Sequence, residues 1–135
     1  MATVVPKPFI MGNALVKIGA DNHELAVNSV EFKPTPITAI FRGLTPAARY
    51  PVSGGSDWSV DIGYAQDWNT TGALSRYLLT AEGTTVAMEF TPVAGGPKVT
   101  ANVTIVPGAI GGAGSAVATG SVSLPCDKPV LGAVI

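Results

Sequence analysis

Along most of this chain apolar and polar positions alternate with a period of two, the spacing of a strand with one face buried. The clearest run has Trp58, Val60, Ile62 and Tyr64 alternating with Ser59, Asp61, Gly63 and Ala65. Earlier, residues 14–20 (ALVKIGA) predict a first strand, and GADNHE supplies turn residues before a second strand at about 24–33. Pro34 and Pro36 bracket a predicted break, after which Ile37, Ala39 and Phe41 alternate with Thr38, Ile40 and Arg42. Residues 43–57 (GLTPAARYPVSGGSD) read as a long irregular loop, because Gly, Pro and Ser dominate them. Further on, Val86, Met88 and Phe90 alternate with Ala87, Glu89 and Thr91, and PVAGGPK predicts a hairpin turn into Val99, Ala101, Val103 and Ile105. A last strand is expected at about 116–124, with Thr119, Ser121 and Ser123 on one side.

One segment breaks the alternation. Leu74, Tyr77, Leu78 and Ala81 fall at i, i+3, i+4 and i+7, a single apolar stripe on a short helix. Asn69 or Thr70 is placed to cap its start, and Gly83 stands where a left-handed residue ends a helix. So short a helix must lean its stripe on a sheet. The expected fold is mainly β: an antiparallel β-sandwich or open barrel with one short packed α-helix, in a single domain spanning 1–135. An N-terminal arm (1–13), the loop 43–57 and a C-terminal tail (126–135) lie outside its regular core.

Charged residues make up only 13% of the chain, about half the usual share, against 47% apolar. Either the fold is compact or part of its exterior is covered by other subunits. A formal net charge of -1 gives no footprint for gripping nucleic acid. The uncharged stretch between Lys98 and Asp127 is broken by proline and glycine, so no membrane span is read there. Cys126 is the single cysteine, which excludes an internal disulfide and a cysteine metal cluster. Pro6, Lys7 and Pro8 interrupt any signal-like apolar run, and folding in a reducing cytoplasm is expected, with the sequons at Asn69 and Asn102 accidental.

Candidate chemistry is sparse. His23, the single histidine, lies in ADNHE and reads as a solvated turn residue rather than a catalytic base. Gly108, Gly111, Gly112 and Gly114 lack the Lys-Ser/Thr of a phosphate loop and read as a flexible hairpin tip. Of Asp57, Asp61 and Asp67, the first two have the spacing for one strand face but no third ligand, weak grounds for a metal, and solvation or an intersubunit ion pair with Arg42, Arg49 or Arg76 is the preferred reading. Trp58 and Trp68 read as core or interface anchors before sugar-stacking platforms. No catalytic, cofactor or metal site is assigned, and no enzyme is expected.

The stretch SDWSVDIGYAQDWNTTGALSRYLLTAEGTTVAMEFTP resembles the strand–helix–strand centre of major tail proteins from long-tailed bacteriophages, in particular tail tube subunits of phages with actinobacteria-type hosts. VNSVEFKPTPITAIFRG is similar to their early strands and GSVSLPCDKPVLG to their closing strand, so the resemblance covers about residues 20–132. CDKP departs from it where a glycine-containing turn is common. The resemblance implies a two-sheet sandwich flanked by the helix, hexameric rings stacked into a hollow tube, a tape-measure protein filling the lumen during assembly, and DNA passing through without specific binding. It places the protein in the virion tail, assembled in the bacterial host cytoplasm. A tail-terminator or head–tail joining subunit is the related alternative, and a carbohydrate-binding module the unrelated one. The Thr, Asn and Ser strand faces suit a lumen lining, while the loop 43–57, the N-terminal arm and the C-terminal tail are the expected ring-to-ring contacts.

Overall fold

The computed structural model describes residues 2–132. Eight strands and one helix follow in the order β1 (Leu15–Ile18), β2 (Asp21–Asn22), β3 (Val27–Arg42), β4 (Arg49–Ala65), α1 (Leu74–Thr80), β5 (Thr85–Thr91), β6 (Val99–Thr104), β7 (Thr119–Cys126) and β8 (Val130–Leu131). All belong to one antiparallel sheet with the order β2-β1-β5-β6-β7-β4-β3, and β8 pairs with β6. The sandwich-or-barrel alternative therefore resolves to a single rolled sheet. Phe32 of β3 packs against Phe90 of β5, with ring centroids 6.2 Å apart, although three strands separate them in the sheet order. The roll stays open, since β1 and β3 border a groove of about 500 Å³ instead of pairing.

The alternation places the core as its period dictates. Val60, Ile62 and Tyr64 of β4, Met88 and Phe90 of β5, Ala101 and Val103 of β6, and Val122 and Leu124 of β7 all point inside. Val16 and Ile18 of β1 join them, and Leu74 and Leu78 bring the helix stripe onto the same cluster. Tyr77 and Ala81 pack at its margin, as the i, i+3, i+4, i+7 spacing requires. Gly83 has φ +84 and its amide donates to the Ile105 carbonyl, which turns the chain from helix into β5.

Several expectations need correction. The helix is capped by neither Asn69 nor Thr70: its N-cap is Ala73, with no side-chain bond. The turn before it is instead organised by Asp67, whose Oδ1 accepts the amides of Asn69 and Thr70 at 3.0 and 3.2 Å. Pro34 and Pro36 do not break the strand. β3 runs through both, because the edge away from β4 has no ladder partner among the described residues and proline needs no amide there. The irregularity falls one step later, as a register shift between Pro36 and Thr38.

The largest correction concerns residues 43–57. From Arg49 onward they are strand, and only 43–48 form the turn, closed by Gly43 N–H donating to the Ala48 carbonyl at 2.8 Å. The N-terminal arm is exposed from residue 2 to 13 and meets the β5–β6 connection in an isolated bridge between Gly12 and Val93. The C-terminal tail is partly structural: Asp127 binds Asn102 through its backbone amide (2.9 Å) and side-chain amide (3.2 Å), and β8 follows. Residues 133–135 of that tail lie outside the described residues.

Candidate functional site

β7 pairs with β4 from Ala65 as far as Trp58, where Cys126 is the last rung. Beyond it the hairpin continues as a two-stranded ribbon, from Thr35 opposite Asp57 to Arg42 opposite Arg49. Every residue of the ribbon is exposed, so neither face rests on the subunit. Ile37, Ala39 and Phe41 lie on the same face as Tyr50 and Val52, with exposures of 49% (Ile37), 65% (Phe41) and 58% (Tyr50 and Val52). Phe41 and Tyr50 stack across the strands at 6.2 Å. An isolated two-stranded hairpin is marginal in water, and an apolar strip along a ribbon is the kind of surface that marks an interaction site.

The polar side of the rolled sheet is a different kind of surface. Ser29, Glu31 and Lys33 of β3, Ser59 and Asp61 of β4, and Ser121 and Ser123 of β7 form its rows. Lys33 Nζ lies 2.9 Å from Asp61 and 3.7 Å from Glu31. The bond from Lys33, then one from Ser123, holds the Asp61 carboxyl below the usual range, and the same bond to Asp61 pushes Lys33 up. This cation is thus held by two carboxylates, leaving the trio one negative charge. Lys17 and Lys98 are likewise held by Glu89, at 3.8 and 3.2 Å.

The sequence-predicted sites are dispersed. Within the subunit Asp61 pairs with Lys33, Asp67 serves backbone amides, and Arg76 donates to the Trp68 carbonyl at 2.8 Å. Among the described residues no three His, Cys, Asp or Glu side chains gather around a metal-sized point. Trp58 opens the packed part of β4, whereas Trp68 follows its far end and donates its indole N–H to Gln66 Oε1 at 3.1 Å, so the two rings make no shared platform. Gly108 is no flexible tip: a methyl there would coincide with the Tyr64 hydroxyl, and Gly120 would bring a second within 3.0 Å.

His23 is not a solvated turn residue. It is 6% exposed, its ring lies tilted against that of Tyr77 with centroids 6.1 Å apart, and its Nε2 has no hydrogen-bond partner. Burial pulls its pKa below the usual imidazole range, against the opposing charges of Asp21 and Glu24. It lines a groove of about 290 Å³ between the β2–β3 turn and the loop before α1, together with Glu24 and Asp67. Among the described residues no helix is long and apolar enough to cross a membrane.

No known protein family's sequence profile matches this chain, and no curated protein matches it. Solved structures do. A chain from the sheath–tube complex of an extracellular contractile injection system, PVC, in its extended state superposes with a TM-score of 0.67 at 16% identity, over 96% of this chain and 95% of that one. A chain from the sheath/tube terminator of the same system gives 0.61 at 16% identity, over 96% of this chain and 100% of that one. What these likenesses show is a shared fold.

Proposed function

We propose that this protein is a structural subunit that assembles with copies of itself into rings, hexameric as the tail-protein resemblance implies, which stack into a hollow tail tube. The observation that carries the reading is the ribbon formed by residues 35–57, which is exposed on both faces and apolar along one. Such a surface joins one copy to a different region of the next, a heterologous contact that propagates rather than closing on itself. The free edge of β3 offers ladder groups to a neighbour in the same way.

The face built by β3, β4 and β7 is the proposed lumen lining. Small hydroxyls and a neutralised lysine give DNA nothing to grip, so a polyanion slides past. A tape-measure protein filling that lumen during assembly, an actinobacterial host and a place in the virion tail follow from the resemblance of residues 58–92 to phage tail proteins. The fold likeness to a chain of a sheathed complex supports an outer protein layer as an alternative to a bare tube.

Purified protein imaged by negative-stain microscopy across a concentration series is expected to form hollow tubes. A monodisperse monomer at every concentration overturns the proposal. The fold likeness to a chain of a sheath/tube terminator favours a second reading, a ring that caps a tube. Rings that never stack at any concentration support that reading over the first.

A further inference from the structure

We propose that the tip of the β3–β4 ribbon is a cationic plug that seats in the groove lined by His23, Glu24 and Asp67 at the opposite end of a second copy of this chain. The inference rests on the tube-subunit reading and specifies which surfaces join successive rings.

The tip has an unmet electrostatic demand. Arg42 and Arg49 are direct cross-strand partners on its last rung, and like charges placed so destabilise a hairpin. Among the described residues every ion pair is made by a lysine, so neither guanidinium has a carboxylate within reach. Together they offer only donors, in planar forks suited to carboxylate oxygens.

The groove has the complementary demand. His23 and Glu24 line it, Glu24 also bordering the larger groove between β1 and β3, and Glu24 Oε2 and His23 Nε2 are shielded from solvent without a hydrogen-bond partner. Once the Glu24 side chain turns outward, a guanidinium fork seated in the groove can donate to its carboxylate and, with another N–H, to the lone pair of a neutral imidazole. Burial favours that neutral form of His23. Asp67 adds negative charge on the groove wall while its Oδ1 remains engaged with the amides of the loop.

The two surfaces lie at opposite ends of one strand. Arg49 begins β4 at the tip and Ala65 ends it at the groove, where its amide donates to the Ala26 carbonyl. A tip therefore cannot reach the groove of its own subunit. It reaches that of the next copy along the axis, and every copy presents one of each.

The test compares tube formation by the wild type with R42E/R49E, E24R, and the triple variant that swaps the charges. Both charge reversals are expected to cut tube yield at least about tenfold, with the wild-type circular dichroism spectrum retained, and the triple variant to restore tubes. A second measurement does not depend on how Glu24→Arg folds. With Cys126→Ser removing the native thiol, Thr45→Cys in the tip turn and Thr71→Cys in one chain, both arginines kept, are expected to give a ladder of oxidised oligomers only under assembling conditions. Tubes from R42E/R49E at wild-type yield, or assembled tubes that give no ladder, overturn the docking and leave the tube reading standing. A wild type that never forms tubes overturns both.

Discussion

At the scale of single residues, this protein separates positions that hold the subunit together from those that do not. Leu78 is completely buried on the helix stripe, so Leu78→Asp places a carboxylate in the core at a cost of several kcal/mol, and an unfolded chain is expected by circular dichroism. Gly83→Ala is milder: nothing lies within 4 Å of the added methyl, and the cost is the left-handed backbone alone, about 1 kcal/mol. That corresponds to a melting temperature lower by about 3–5 °C for a domain of this size. His23 adds a pH dependence whose sign is fixed by its burial. The folded state resists protonating it, while the unfolded chain takes the proton at about pH 6.5, so stability falls as pH drops below that value. Urea midpoints measured from pH 7.5 to 5 should decline for the wild type and decline less for His23→Gln. The core alternation of Val60, Ile62 and Tyr64 was legible in the sequence because strand period alone decides it. The burial of His23 was not, because it arises when the helix lays Tyr77 over the β2–β3 turn, a contact no local pattern announces.

At the scale of elements, the β3–β4 hairpin combines two regimes in one pair of strands. Its lower half is fixed by burial on one face and by pairing with β7, and there the regular alternation from Trp58 to Ala65 made it readable. Its upper half contains Pro36, Pro51, Gly54 and Gly55, and residues 43–57 looked like a loop because Gly, Pro and Ser dominate them. Yet prolines fit an edge strand, and Gly55 at φ +92 suits an irregular rung, so the same residues that discourage a central strand permit a free ribbon. Only the cross-strand register, a tertiary fact, reveals that Phe41 and Tyr50 share a face. Because the ribbon touches nothing in its own subunit, Phe41→Ser with Tyr50→Ser should leave the melting temperature within about 2 °C of wild type, a surface-like effect. The same pair should raise the concentration needed for assembly severalfold in sedimentation experiments. A large loss of thermal stability instead means that the ribbon folds back onto the barrel.

For the whole molecule, the consequence is a polarity that sets a length. The barrel supplies a rigid body and the ribbon a projecting arm, while the groove before α1 sits at the far end of the strand that carries the arm. If each copy contacts the next from tip to groove, the axial repeat of the assembly equals the axial component of that vector. The strand from Arg49 to Ala65 bounds it at about 50 Å, from a rise of about 3.3 Å per residue, and strand tilt can only shorten it. Side-chain reach at the contact adds a few ångströms at most. Low charge elsewhere fits the same picture: Lys17, Lys33 and Lys98 are neutralised by neighbouring carboxylates, whereas Arg42 and Arg49 stand side by side at the tip without one. Helical reconstruction of assembled tubes measures the repeat directly. A value at or below about 50 Å, with density from each ribbon entering the ring beyond it, is expected; a repeat clearly longer than the strand can span means that successive rings meet through some other surface.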